Sequence, residues 1–302
     1  MIKRKYLLPD ITLMILCLGF FCGCSMQGQD TGPEKIEPAG NGPGLRIISL
    51  APSITEILFE LGLDEEIAGV TGFCDYPDEA ELKKKVGSFS KPNIERIIRL
   101  KPDIIFSTSL EQNPVVDKLK TLGYRVEVIY PQNMEELFSG IRNIGSYTNT
   151  AKAAEDLLKQ MKTRLARIRE KVELIPEQER KRVFIEIWYE PITTVGPGSF
   201  VDELVTLAGG VNIAYDAPRR YSRFSPELVI RRDPEVIIMG YMDMKGRWAK
   251  ALKERAGWGN IKAVQDNKVF DDLAPDLFLR PGPRAVIGVE EIYKRLYGSD
   301  NK

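Results

Sequence analysis

The chain has 302 residues, 43% hydrophobic and 28% charged, so it can build buried cores and is not a disordered chain. Its 43 Lys and Arg balance 43 Asp and Glu, which argues against a nucleic-acid-binding protein held by phosphate contacts. It contains no histidine, which excludes Ser-His-Asp and Cys-His catalysis and every histidine-ligated metal or haem site.

Residues 1–24 predict a lipoprotein signal peptide. A basic segment, Lys3–Lys5, precedes an apolar segment, Leu13–Phe21, that is too short to cross about 30 Å of hydrocarbon as a helix. The sequence 21–24, Phe-Cys-Gly-Cys, resembles a bacterial lipobox, although Leu is usual where Phe stands, and it indicates lipidation at Cys24. The alternative is an ordinary signal peptide with incidental cysteines.

Residues 25–44 are rich in Gly and Pro and poor in large apolar side chains, which predicts a flexible tether. Such a tether behind a lipidated cysteine suits a folded domain that works close to a membrane surface. Cys74, the one cysteine of that domain, is expected to pack as a small apolar side chain. Ligation of cobalt or iron by its thiol is the alternative.

Residues 45–148 predict a first α/β lobe, because apolar strands alternate with helical segments and thereby indicate parallel βαβ units. In the first helix, Ser53 and Glu56 have the spacing of a capping box. The predicted strands are 46–50, 67–70, 102–107 and 125–130, and the predicted helices after the first are 94–100, 114–122 and 134–146.

Residues 149–172 predict one long helix, because they contain neither Gly nor Pro and repeat apolar side chains at helical spacing. The helix follows one α/β set and precedes another, so we interpret it as a rigid connector between two lobes.

Residues 173–302 predict the second α/β lobe. A weak internal repeat relates it to the first: Glu95 matches Glu227 and Pro102 matches Pro234, each within a short helix, a proline stop and a buried strand. The predicted elements are a strand at 182–187 followed by a loop, a helix at 200–208, a strand at 236–239, and helices at 248–256 and 283–297.

Several short motifs occur in a characteristic order: 47–56, 75–77, 86–95 and 100–103, then 207–212, 225–227, 257–261 and 280–284. Together they resemble the cobalamin and ferric-siderophore periplasmic-binding proteins, the substrate-binding lipoproteins of ABC importers. The resemblance implies an α/β fold of two Rossmann-like lobes joined by a single long helix, with little hinge closure and a ligand cleft between the lobes.

The same resemblance implies a monomeric, non-enzymatic protein outside the cytoplasm, anchored to the membrane through lipid. Its partners would be a small-molecule ligand and an ABC permease dimer with its ATPase subunits. Segments 75–77 and 86–95 are most similar to the cobalamin-binding branch, so a corrinoid is the expected ligand. A ferric siderophore or haem is the alternative, and neither a resident cofactor nor a metal site is expected.

Aromatic walls and a few directed polar groups suit a corrinoid, a large flat disc fringed with amides. For Tyr76, Phe89 and Trp188 the alternative is packing within their own lobe, and for Arg280 it is a surface salt bridge. The candidate ligand-binding residues are Tyr76, Phe89, Trp188, Tyr189, Tyr221, Arg223 and Arg280.

Glu95 and Glu227 each lie in the first turn of a predicted helix, where a carboxylate interacts favourably with the helix dipole by about 0.3–1 kcal/mol. That interaction alone explains an acid there. The resemblance implies a second role, in which one glutamate per lobe pairs with arginines of the two permease subunits.

Two other classes of function are open to a chain of this kind, an enzyme and a structural surface protein. An enzyme such as an oxidoreductase subunit would need a Gly-x-Gly-x-x-Gly turn or several cysteine ligands, and neither is present. A structural surface lipoprotein or chemoreceptor adaptor would lack a cleft of ligand size.

Overall fold

The computed structural model describes residues 44–241 and 248–298. The predicted signal peptide, Cys24 and nearly all of the predicted tether lie outside the described residues. No helix of the described part has the length and apolar character needed to cross a membrane.

The first lobe is built on a parallel sheet in the order β2-β1-β3-β4. Three of its strands are fully or largely buried, as expected of a parallel sheet that is covered on both faces, while the edge strand Val126–Val128 is partly exposed. Neighbouring side chains enter opposite layers: Ile47 and Phe106 pack on one face, Ile48 and Ile105 on the other. The strands are β1 (Ile47–Ser49), β2 (Ile67–Val70), β3 (Ile104–Ser107) and β4 (Val126–Val128).

The helices of this lobe are α1 (Pro52–Glu60), α2 (Ile94–Arg99), α3 (Asn113–Thr121) and α4 (Met134–Tyr147). The predicted capping box of α1 is wrong. Ala51 is the N-cap residue and no side chain caps the helix, because Pro52 starts it one residue earlier and places Ser53 inside the first turn. Glu56 is instead buried and bonded to an arginine of the other lobe.

The predicted connector is the helix α5 (Ala151–Glu173), 23 residues long. Its buried side, which includes Leu158 and Met161, belongs to the same core as α4 and the last helix of the chain. The corner between α4 and α5 depends on Gly145, where an added Cβ would lie 2.7 Å from the Cβ of Ala154. The helix therefore packs against both lobes along one continuous core.

The second lobe is built on a mixed sheet in the order β10-β9-β5-β6-β8, with β7 paired to the start of β5. β9 is parallel to β5, whereas β6 is antiparallel to it. The strands are β5 (Arg182–Tyr189), β6 (Ile192–Val195), β7 (Val211–Asn212), β8 (Tyr221–Arg223), β9 (Val236–Met239) and β10 (Val269–Phe270).

The helices of the second lobe are α6 (Phe200–Leu207), α7 (Pro226–Arg232), α8 (Trp248–Lys253), α9 (Lys262–Gln265), α10 (Asp276–Leu279) and α11 (Ala285–Tyr297). The loop predicted after the first strand of this lobe contains β6, a correction to the sequence prediction. The β-branched run Ile192–Val195 forms this strand, although Pro191 and Gly196 at its ends favour a loop.

The internal repeat of the sequence is also present in the structure. α2 leads to β3 and α7 leads to β9, and Asn93 and Ser225 cap the two helices through their side chains. Lys101 and Asp233, each just before the matching proline, both adopt a left-handed backbone with φ of 48° and 43°. The chain leaves the two helices in the same way.

Candidate functional site

A cavity of about 430 Å³ lies where the two lobes meet. On the first-lobe side it is lined by segments that follow β1, β2, β3 and β4, which is the edge where ligands bind in open α/β sheets. The described residues that line it are Ala51, Pro52, Ser53, Phe73, Phe89, Ser90, Thr108, Ile129, Tyr130, Pro131, Gln132, Phe200, Tyr221, Leu279, Arg280 and Pro281.

The lining is mostly apolar and aromatic, and its ring systems come from both lobes. Phe73 and Tyr221 are 54% and 46% exposed, so their rings are open to a ligand. Burial raises the pKa of the Tyr221 hydroxyl, and the nearby Tyr130 contributes in the same direction. The Tyr221 hydroxyl therefore stays protonated and can donate a hydrogen bond across the seam.

Gln112 fixes three of the segments that line the cavity. It is fully buried, and its amide nitrogen donates to the carbonyl oxygens of Leu50 and Phe89 at 2.7 and 2.9 Å. Its carbonyl oxygen accepts from the Ser107 hydroxyl at 2.7 Å and from the Thr108 N–H at 3.0 Å. All four bonding positions of the amide are used, so these loops are held together.

Arg280 is the one cation among the described lining residues, and it is paired. Its Nη1 and Nη2 donate to Oδ1 and Oδ2 of Asp75 in the other lobe at 2.6 and 3.2 Å. Its Nε lies 3.0 Å from Oδ1 of Asp276. The hydrogen bond from Arg280 holds the pKa of the Asp75 carboxyl below its usual range. Arg280 is 9% exposed, and each of its three guanidinium nitrogens already has a carboxylate partner.

Glu56 and Arg284 form a second pair between the lobes. Nε and Nη2 of Arg284 donate to the Glu56 carboxylate at 2.9 and 2.7 Å. Burial raises the pKa of Glu56, and the hydrogen bond from Arg284 acts in the opposite direction. The Tyr76 ring covers the Arg284 guanidinium, whose carbon lies 3.7 Å from the ring centroid.

Further polar contacts join the lobes through other residues of the two lobes. Glu203 on α6 accepts a 2.7 Å hydrogen bond from the N–H of Met134, the first residue of α4. Burial raises the pKa of this carboxyl. Arg220 donates to the Gln132 side chain at 2.9 Å. Since Gln132 and Arg280 both line the cavity, polar contacts between the lobes flank it.

Three of the seven sequence-predicted ligand residues, Phe89, Tyr221 and Arg280, line the cavity. Tyr76 instead covers Arg284, and Arg223 is exposed on β8 two residues beyond Tyr221. The structure thus brings together residues distant in sequence and leaves Tyr76 and Arg223 outside the cavity lining.

Trp188 and Tyr189 end β5 and belong to an aromatic cluster with Tyr241 and Trp248. The ring centroids of Tyr189 and Trp248 are 4.6 Å apart, and those of Tyr241 and Trp248 are 4.7 Å apart. Trp188 and Tyr189 remain 52% and 43% exposed. The cluster presents an aromatic surface at the carboxyl end of β5, apart from the lining of the cavity.

Glu95 and Glu227 occupy equivalent positions in α2 and α7, both exposed in the first helical turn. Glu227 also accepts from the Ser225 hydroxyl, which lowers the pKa of its carboxyl. Neither glutamate forms an ion pair within the described residues, so both carboxylates are open to a partner.

Sequence reasoning missed Asp75, Gln112 and Tyr130 as site residues and assigned Glu56 to a helix cap. Asp75 precedes Tyr76 in the motif 75–77, and its place in that motif could have indicated a role in the site. The amide network of Gln112 and the Glu56–Arg284 pair depend on contacts 62 and 228 residues apart, respectively. Cys74 is buried in the core of the first lobe, as expected, and its Sγ in addition accepts a hydrogen bond from the Thr55 hydroxyl at 3.1 Å.

A two-lobed α/β protein with an apolar cavity at the seam has the architecture of a solute-binding protein. The model of the family described as "Periplasmic binding protein" matches residues 47–274. The chain belongs to this family and is an ABC-type substrate-binding protein.

Named relatives agree with this assignment. The chain is 35% identical over 257 residues to the uncharacterized ABC transporter substrate-binding lipoprotein YvrC of Bacillus subtilis, covering 83% of this chain and 80% of YvrC. It is similar to the structure of the periplasmic vitamin B12 binding protein BtuF of Vibrio cholerae, with 30% identity, a TM-score of 0.73 and coverage of 84% and 97%. A possible iron-binding protein from Staphylococcus epidermidis matches with 30% identity, a TM-score of 0.73 and coverage of 83% and 98%.

Proposed function

We propose that this protein is a membrane-anchored, extracytoplasmic lipoprotein that captures a corrinoid in the cleft between its lobes and delivers it to an ABC permease. The observation that carries the proposal is the cavity itself, whose described lining is apolar and aromatic and whose one cation is already paired. Such a site suits a large, partly apolar ligand with peripheral amides. The similarity to a vitamin B12 binding protein supports this choice of ligand.

In this proposal each group in the site has a binding role and none has a chemical one. Phe73, Phe89 and Tyr221 supply apolar faces, while the hydroxyls of Tyr130 and Tyr221 donate hydrogen bonds. Trp188 and Tyr189 extend the aromatic surface to a ligand that projects beyond the cavity. The protein works as a monomer and leaves its ligand unchanged.

Delivery requires that the loaded protein dock on the permease. Glu95 and Glu227 are exposed, occupy equivalent positions in the two lobes and come from an internal repeat. Two matching carboxylates suit a partner built from two permease subunits that present arginines. Lipidation of Cys24 and a tether over residues 25–44 would keep the protein near that partner.

A ferric siderophore or haem is the second candidate ligand. Arg219, Arg220 and Arg223 are exposed near the Tyr221 rim, and none forms an ion pair with a carboxylate in the described chain. This rim favours an anionic ligand, and a tyrosine such as Tyr130 or Tyr221 is a chemically competent haem ligand. The similarity to a possible iron-binding protein supports the same alternative.

Titration of residues 25–302 with cyanocobalamin, cobinamide, hemin and a ferric hydroxamate, followed by tryptophan fluorescence, separates these ligands. Quenching by the corrinoids alone is expected. A mixture of free tryptophan and each compound corrects for absorption by the ligand. Quenching by hemin or the hydroxamate alone selects the second candidate, and no quenching by any compound contradicts a ligand cleft.

A further inference from the structure

Asp75 is the only residue of the first lobe that occupies both terminal nitrogens of Arg280 among the described contacts. These two nitrogens are the groups with which an arginine binds a carboxylate or phosphate in the bidentate manner. Asp276, from the same lobe as Arg280, takes only Nε at hydrogen-bonding distance. Asp75 therefore determines whether the two terminal nitrogens of Arg280 are available to another carboxylate or phosphate.

We infer that Asp75 determines ligand specificity in this cleft. It is the counter-ion of Arg280, so it prevents a carboxylate of a ligand from pairing with Arg280 and thereby favours ligands with uncharged side groups. The inference rests on the proposed function and deepens it. An anionic side group that reached Arg280 would have to displace Asp75, and before that it would be repelled by Asp75, Asp276 and Glu56, all within 4 Å of the guanidinium. An amide meets no such repulsion.

The geometry makes displacement of Asp75 unfavourable. Arg280 is largely buried while the Asp75 side chain is 46% exposed, so the carboxylate covers the guanidinium from the more open side. The neighbouring Glu56 cannot replace it, since Glu56 is committed to Arg284 and lies 3.8 Å from Nη1 of Arg280. Loss of Asp75 therefore leaves the two terminal nitrogens without a hydrogen-bonded carboxylate among the described contacts, and so able to bind an anion.

The first test needs no ligand. The experiment uses residues 25–302 and measures the rate at which phenylglyoxal labels Arg280, mapped by mass spectrometry. Labelling is expected to be slow in the wild type and at least about tenfold faster in Asp75→Ala, because one fully formed charged contact corresponds to a factor of that order. Asp78→Ala is the matched control, since Asp78 is exposed three residues away and forms no ion pair in the described chain. Asp276→Ala should raise labelling less than Asp75→Ala.

The second test measures selectivity. Cyanocobalamin is compared with its monocarboxylate derivatives, which differ by one amide changed to a carboxylate. The wild type and Asp78→Ala are expected to prefer the neutral compound, and Asp75→Ala should shift the affinity ratio towards the monocarboxylates at least about tenfold. Asp75→Asn, which keeps the side-chain shape, should shift it in the same direction.

The outcomes separate this inference from the proposed function. Unchanged labelling of Arg280 in Asp75→Ala, an equal or larger effect of Asp276→Ala, or an unchanged affinity ratio overturns the role of Asp75. Absence of corrinoid binding by the wild type overturns the proposed function instead. In that case the phenylglyoxal labelling of Arg280 still decides whether Asp75 shields it. Binding of hemin, as an anionic probe, is then compared between the wild type and Asp75→Ala in place of the corrinoids.

Discussion

Glu56 in the first helix and Arg284, immediately before the last helix, form a two-bond ion pair that joins the lobes, with N···O distances of 2.9 and 2.7 Å. Glu56 is 2% exposed, so its charge is removed from water and depends on Arg284 for compensation. The pair thereby joins the first helix to the segment that leads into the last helix.

Glu56→Gln is expected to lower the free energy of unfolding by about 3 kcal/mol, because it removes both hydrogen bonds of the largely buried Arg284 to a carboxylate and leaves it only the Asp276 carboxylate, 3.9 Å away. Glu173→Gln is the matched control. It breaks the exposed Arg169–Glu173 pair and should cost less than about 1 kcal/mol. Urea unfolding of both variants checks this, and equal effects would contradict a special role for the buried pair.

Gln112→Leu is expected to destabilise the protein by about 2 kcal/mol and to weaken ligand binding, because it leaves the carbonyls of Leu50 and Phe89 without their donor. Gln265→Leu, at an exposed position on α9, should change neither quantity appreciably. Urea unfolding and calorimetric titration give the two readouts. Wild-type affinity in Gln112→Leu would show that the loops keep their positions without the amide.

The Asp75–Arg280 pair should make stability depend on pH. The hydrogen bond from Arg280 lowers the pKa of Asp75 in the folded state. The stabilisation that the ionised Asp75 gives the folded state is therefore complete above the pKa of the unfolded state, about 3.9, and is lost as the pH falls through the pKa of the folded state. The stability advantage of the wild type over Asp75→Asn should therefore be constant near neutrality and shrink below about pH 4. Asp78→Asn, at an exposed position without an ion pair among the described residues, is the control variant for this comparison. An Asp75→Asn difference that persists at pH 2 would contradict the ionic origin.

The double variant Glu95→Arg with Glu227→Arg is expected to abolish uptake into cells while the affinity for ligand stays within about twofold of wild type, because both residues are exposed and neither lines the cavity. The matched control reverses two other exposed glutamates, Glu65→Arg with Glu177→Arg, and should transport normally. Normal uptake by the first variant would remove the docking role.

Much of the fold could be predicted because local pattern decides it. The strand at Ile67–Val70 and the strand at Val236–Met239 have the predicted bounds, since each is a short apolar run between polar segments. The connector α5 begins and ends within two residues of its predicted limits, because its apolar repeat is long and uninterrupted.

The site was harder to predict, because its polar groups act through partners far away in sequence. Ser53 and Glu56 satisfy the local pattern of a helix cap, yet Pro52 fixes the helix start and the other lobe supplies Arg284. Arg280 was predicted as a ligand contact from its loop, but nothing local shows that Asp75 already holds it. Aromatic side chains were predictable as a group, whereas their division between cavity and surface cluster depends on tertiary packing.

The most direct test of the account is calorimetric titration of residues 25–302 with cyanocobalamin, comparing the wild type with Phe89→Ala/Tyr221→Ala. The two aromatic residues face the cavity from opposite lobes. One molecule should bind per wild-type chain, and the double variant should bind at least about tenfold more weakly, because each lost aromatic contact is worth about 1 kcal/mol or more. No binding by the wild type, or undiminished binding by the double variant, would contradict a corrinoid held in the cleft between the lobes.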